Sequence, residues 1–266
     1  MEKKSKFMRA AAAGWIGFVL ALYAAVAASA ALERAGVGLS IQRLTQALIV
    51  SAIVLPIVAL LYRRNLGRFP LRFRGGEWKS EVGAGLCAAG IALALAAAGF
   101  GIAHGLGWIV VEDVRFTRPL LTAVALNLLV ALLYEALPEE LVFRALIPDM
   151  LGRRMRAAFV FLLAPILFVL APVAAKGLQA ASGIEAQPVT VDYVILLLFF
   201  AVALQFARSA FGRLGAGIGF HLAYLLLARF VVLAEPGEGF VRYLDVEPET
   251  GSLFVLFLTV VVGAAG

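Results

Sequence analysis

Ala10–Leu32 reads AAAAGWIGFVLALYAAVAASAAL, twenty-three residues without one charged side chain. A helix rises about 1.5 Å per residue, so about 20 apolar residues cross the roughly 30 Å of a bilayer's hydrocarbon. Seven further stretches are mostly apolar and qualify or nearly do: Leu44–Tyr62, Val82–His104, Pro119–Leu137, Ala157–Ala175, Val191–Ala207, Leu214–Ala234 and the shorter Ser252–Ala265. The whole chain agrees with them. Of its 266 residues 63% are hydrophobic and 15% charged, and its mean hydropathy is +0.97. Soluble domains carry about 45–50% apolar and about 25% charged residues, so a cytosolic enzyme, a disordered chain and a secreted disulfide scaffold are excluded. Cys87 is the single cysteine and has no partner for an intrachain bridge. With two histidines and one cysteine, a zinc site of the usual Cys/His kind is excluded as well. The expected fold is all-α: a polytopic membrane bundle of about eight transmembrane helices, with residues 1–266 forming one integral membrane domain in contact with the lipid bilayer. No internal repeat is visible.

Basic residues orient the bundle. Alternate connections hold Lys3, Lys4, Lys6 and Arg9; then Arg63, Arg64, Arg68, Arg72, Arg74 and Lys79; then Arg144, Arg153, Arg154 and Arg156; then Arg208 and Arg213. The other connections hold Arg34, Arg43, Arg115, Arg118, Lys176 and Arg242, and Arg229 lies within a span. The positive-inside rule then makes both termini cytoplasmic. The acidic connection Glu235–Gly251 falls outside, as a solvated loop. The net charge of +6 is thus a topology signal; no clustered basic face indicates nucleic acid as a partner. A basic start followed by Ala28-Ser29-Ala30 imitates a secretory signal peptide. The apolar run exceeds the usual length of such signals, which favours an uncleaved first helix.

Charges inside hydrocarbon cost about 2.5–3.5 kcal/mol each on insertion scales and mark functional candidates. The fourth span ends in Tyr134-Glu135-Ala136-Leu137-Pro138-Glu139-Glu140-Leu141-Val142-Phe143-Arg144. Neighbouring helix positions differ by about 100°, so Glu139 and Glu140 face different ways. Glu140 and Arg144 stand i,i+4 in the acid-first order and can pair. Glu139 then faces elsewhere, with Glu135 one turn before it. Carboxylates so close in low dielectric shift at least one pKa upward, which suits a general base. The alternative is a set of solvated glutamates at the cytoplasmic end of a helix, with Arg144 a topology residue. A second polar feature, Gly215-Ala216-Gly217-Ile218-Gly219-Phe220-His221, opens the seventh span. Gly215 and Gly219 form a GxxxG face for close helix approach. His221 lies about 12 Å along the helix from Arg213, where an imidazole can donate a hydrogen bond, shuttle a proton or serve packing alone.

Glu139-Glu140-x-x-x-Arg144, with Phe143 before the arginine, resembles the first motif of the CPBP family, the CAAX-endopeptidase-like or Abi membrane proteins. The arginine cluster after the motif, the glycine-rich run into Phe220-His221 and the eight-helix plan resemble it too. The likeness covers roughly residues 119–234. It implies an intramembrane endopeptidase in which Glu139 activates water for peptide-bond hydrolysis, Glu140 and Arg144 support it as an ion pair, and His221 holds the oxyanion. Glu135 is an auxiliary candidate that can share a proton with Glu139. Two positions depart from the family pattern. Its second motif, FxxxH, is matched by Phe168-Val169-Leu170-Ala171-Pro172, and its third, HxxxN, by His221-Leu222-Ala223-Tyr224-Leu225. Pro172 and Leu225 have no side-chain donor and bind no metal. No cofactor and no metal are expected.

Three functions remain open on these residues. The first is the peptidase, acting near the cytoplasmic face on a peptide or membrane-protein substrate. The second is a non-catalytic relative, of immunity or scaffold type, that binds such a partner. The third is a small proton-coupled transporter using Glu135, Glu139 and Arg229, disfavoured because no inverted repeat is found. The expected location is the plasma membrane of a prokaryote; oligomeric state and substrate are not encoded in any motif read here.

Overall fold

The structure is a computed structural model, and it describes residues 2–67, 69–71, 77–186, 188–234, 238–246 and 250–265. Eight helices are found among them: α1 Glu2–Arg34, α2 Leu39–Asn65, α3 Glu77–Gly105, α4 Arg118–Leu151, α5 Ala157–Ala181, α6 Val191–Phe211, α7 Leu214–Val232 and α8 Thr250–Ala265. All but α8 are long and apolar enough to cross a membrane. Together with the apolar composition they make the chain an integral multi-pass membrane protein. Large side chains such as Leu86, Leu162 and Phe159 point outward. That suits lipid, where a helix must satisfy its own backbone groups but need not hide its apolar face. Arg68, Arg72, Arg74, Pro236 and Gly237, and the side chains of Lys3 and Lys4, lie outside the described residues.

The backbone groups into two compact units, 1–78 with 132–201 and 79–131 with 202–266. In the first, aromatic rings form a connected run: Phe18 to Phe143 at 5.2 Å, Phe143 to Phe168 at 5.2 Å and Phe168 to Phe200 at 6.3 Å between centroids. Edge-on pairs at these separations are worth about 0.5–1.5 kcal/mol beyond their burial. The Trp15 indole N–H donates to the Leu167 carbonyl at 2.8 Å, tying α1 to α5. The Tyr62 hydroxyl donates to Asp149 Oδ2 at 2.8 Å, tying α2 to the last turn of α4.

In the second unit the GxxxG face meets α3. A Cβ on Gly219 would collide with the Gly85 carbonyl oxygen, and one on Gly215 with the Glu81 carbonyl oxygen. The Gly215 N–H donates to Glu81 Oε2 at 2.8 Å, and Arg213 Nη1 lies 3.6 Å from Glu81 Oε1. Of the glycines early in α3, Gly85 packs against this face, whereas a Cβ on Gly83 or Gly90 would meet nothing within 4 Å. Gly219→Ala is therefore expected to destabilise by about 1–3 kcal/mol, the usual cost of overpacking. Gly90→Ala is expected to leave stability unchanged or slightly raised, since alanine favours helix over glycine. Thermal unfolding in detergent, followed by size-exclusion chromatography, separates the two.

Three expectations are corrected. The fourth span does not end at Leu137: α4 continues to Leu151 through wide π-helical turns at Leu132–Ala136 and Glu140–Leu146. Pro138 offers no N–H to the Leu133 carbonyl one wide turn back, and the Ser51 hydroxyl supplies the donor instead. Arg144 is accordingly a buried helix residue and does not count toward topology. Second, Lys176 belongs to α5, which runs six residues past the apolar stretch read as its end. Third, the acidic connection is more than a solvated loop. Val241–Asp245 (β2) pairs antiparallel with Ile109–Val114 (β1), with an irregularity between Val111 and Asp113. Arg242 Nε meets Glu112 Oε2 at 2.8 Å across the ribbon. Asp245 accepts from the N–H groups of Gly251 and Ser252, both at 3.1 Å, capping α8.

Candidate active site

The carboxylates sit in the interior of α4. Glu140 precedes Leu151 by eleven residues, about 17 Å of helix, so the motif lies within α4 and not at its end. The wide turns aim it inward: Glu140 to Leu146 is buried at every position. π-helical turns within α-helices are frequent at functional sites.

Arg144 and Glu140 form the ion pair that their spacing predicts, Nη1 to Oε1 at 3.4 Å, with side chains 1% and 0% exposed. The guanidinium is held from two more directions. Its Nη2 donates to the Ala201 carbonyl on α6 at 3.2 Å, and its Cζ lies 4.3 Å from the Phe168 ring centroid. A planar, delocalised cation suits both contacts, which lysine would not reproduce. Glu139 and Glu135 are half-buried on the turn before. The arginine's ion pair is with the buried Glu140, while Glu139 and Glu135 both keep exposed surface.

Sequence reasoning missed two residues. Phe168, Pro172 and Lys176 repeat at i,i+4 along one face of α5, and Phe168 faces Arg144. Pro172 stands one turn farther, within the helix and half-buried. Lys176 comes a turn later, its Nζ 4.9 Å from the centroid of the Tyr193 ring on α6. The charges of both Glu139 and Glu135 act on the Tyr193 hydroxyl. The signal was present: a lysine one turn past the missing histidine, hidden because the apolar run breaks at Ala175.

His221 and Leu225 belong to the second unit. His221 is 1% exposed and lies in the second turn of α7, just past the Gly215–Gly219 contact that anchors the helix. Leu225 is half-buried one turn farther, and Tyr224 beside it is buried. Arg229 Nη1 donates to Asn127 Oδ1 at 3.4 Å. His104 Nδ1 is 3.2 Å from the Ile109 carbonyl at the base of the ribbon. Among the described residues no group of three or more His, Cys, Asp or Glu side chains is arranged to hold a metal ion.

Residues 121–227, which contain Glu139, Glu140, Arg144, Pro172, His221 and Leu225, match the family model described as type II CAAX prenyl endopeptidase Rce1-like. No curated protein and no solved structure matches the chain. Across these residues, less than half of the chain, the protein is similar to the CAAX-protease-like (CPBP) family, the likeness that its motifs carry.

Proposed function

We propose that the chain is an intramembrane endopeptidase in which Glu139 acts as the general base. The observation that carries this reading is the division of labour on α4: Glu140 is buried and neutralised by Arg144, while Glu139 keeps exposed surface on a neighbouring face. In the proposed reaction Glu139 takes a proton from water as the oxygen attacks the scissile carbonyl carbon. The proton then passes from Glu139 to the departing amine as the C–N bond breaks, so that Glu139 ends as a carboxylate again. Glu135, one turn away, helps hold that proton between the two steps. For His221 the oxyanion role is carried over from the motif alone.

Pro172 removes a donor from the family's second motif. Lys176 and Tyr193 are suited to replace it: an ammonium group over an aromatic ring, beside a hydroxyl that feels both glutamates. Loss of one oxyanion donor costs a factor of about 10²–10³ in rate. Tyr193→Phe is expected to lower turnover by about tenfold or more while keeping the ring that Lys176 packs on. Lys176→Met is expected to do the same, with Lys176→Arg restoring part of the rate. Equal turnover in all three variants removes both residues from the mechanism.

The family name supplies the first substrate class to try, prenylated peptides ending in CAAX, and the multi-pass fold supplies the second, transmembrane peptides. The purified protein in nanodiscs is incubated with both sets, and fragments are read by mass spectrometry. Cleavage of either set, absent from Glu139→Gln, supports the proposal. The second reading, a non-catalytic partner-binding relative, draws on Pro172 and Leu225; it predicts peptide retention without cleavage, equal in wild type and Glu139→Gln. The plasma membrane of a prokaryote, with the basic turn Gly152–Arg156 on the cytoplasmic side, is the location that goes with this proposal.

A further inference from the structure

A cavity of about 600 Å³ opens where α1 begins and α2 ends. Its polar lining comes from Lys6, Arg9, Arg64, Ser5 and Asn65, and no acidic residue is among its lining residues as described. The Lys6 ammonium donates to the Arg64 carbonyl at 3.0 Å, which fixes the two basic segments against each other. Arg154, on the turn after α4, lies over the Phe7 ring at 5.7 Å and adds a further positive charge nearby.

The lining is ordered by depth. The charged and polar residues occupy the first two turns of α1 and the last turn of α2, and deeper along the helices the wall becomes Ala10, Ala13 and Leu61. A pocket for a free anion needs only the first layer. A cationic mouth above an apolar wall, both at the end of membrane-spanning helices, matches a molecule with an anionic head and a hydrocarbon tail. Basic pockets between helices at this level hold acidic lipid head groups. The Arg63 side chain, on the same turn of α2, lies outside the cavity, so the basic residues of this end divide into a set that builds the site and a set that does not.

We propose that this cavity binds an anionic glycerophospholipid, with its phosphate held by Lys6, Arg9 and Arg64 and the start of an acyl chain lying against Ala13 and Leu61. The site is independent of the peptidase reading and lies on different residues.

The test uses the full chain in phosphatidylcholine nanodiscs titrated with phosphatidylglycerol, with bound lipid counted by native mass spectrometry. The variant K6Q/R9Q/R64Q is expected to weaken phosphatidylglycerol binding about 10–30-fold. The control R63Q/R153Q/R156Q removes the same charge from exposed positions outside the cavity and is expected to change binding less than twofold. Ala13→Trp fills the apolar layer at an exposed position and is expected to exclude the lipid with every cation retained, which keeps the test decisive if the triple variant folds poorly. Equal weakening by the control overturns the proposal in favour of diffuse surface attraction. Displacement of the lipid by millimolar inorganic phosphate, or full binding to Ala13→Trp, overturns it in favour of a free-anion site.

Discussion

Arg144→Met is expected to leave little folded protein, and Glu140→Leu/Arg144→Met to recover most of it. Removing one partner of a buried ion pair strands the other charge and costs about 3–5 kcal/mol, whereas replacing both by apolar groups of similar volume is close to neutral. Here the pair is buried on both sides, and the arginine also holds the Ala201 carbonyl and stacks on Phe168. The single variant therefore loses links from α4 to both α5 and α6. A marginal fold of about 5–15 kcal/mol cannot absorb such a loss unharmed. Thermal unfolding of the single and double variants in detergent checks it. A double variant that folds but does not cleave assigns the pair to positioning Glu139. A double variant as damaged as the single one shows that no apolar pair fits the site.

Glu139→Gln is expected to behave in the opposite way, keeping its fold and losing about 10²–10⁴ in turnover. The side chain is half-buried and the amide is nearly isosteric, so its unfolding midpoint should move by no more than about 2 °C. Glu135→Gln should cost about tenfold or less, because it assists the proton without meeting the water. Stability and activity measured on one set of variants place the two functions of adjacent glutamates, support and chemistry, on different residues. If Glu140→Gln loses activity with an unchanged midpoint while Glu139→Gln stays active, the two roles are exchanged.

The sequence made the helices legible, seven of the eight expected stretches being long and apolar enough to cross, since lipid allows few ways to place an apolar run of about twenty residues. It also made the Glu140–Arg144 contact legible, because i,i+4 spacing fixes which side chains meet. Where local signals conflicted, the reading failed. Three carboxylates and Pro138 look like the end of a span, yet α4 continues because its wide turns point Glu140 and Arg144 into protein and Ser51 serves a carbonyl that the proline leaves without its donor. Lys176 looks like a loop residue because a charge after Ala175 interrupts the hydropathy; nothing local says that Tyr193 lies across from it. The GxxxG face was visible in Gly215 and Gly219, but that Gly85 meets it is a long-range fact with no local pattern. The strand Ile109–Val114 carried a readable β-branched run, Ile109-Val110-Val111, after the glycines at 105 and 107, and it was passed over among stronger helix signals.

The depth of the site bears on how a substrate arrives. Glu139 lies about 18 Å of helix short of Leu151, and the proposed reaction therefore calls for a peptide that enters the membrane layer or is anchored in it. An anchored peptide gains a high effective concentration beside the glutamates without any specific contact.

The central claim, hydrolysis driven by Glu139, is tested most directly in cells. Membrane proteomes are compared between cells carrying the wild-type chain and cells carrying Glu139→Gln at equal abundance, with new peptide termini mapped by mass spectrometry. The account predicts a set of termini present with wild type and absent with Glu139→Gln, arising from membrane-embedded or membrane-anchored proteins. Identical termini in the two, with both proteins folded, would contradict it and leave the chain as a non-catalytic relative of the CAAX-protease-like family.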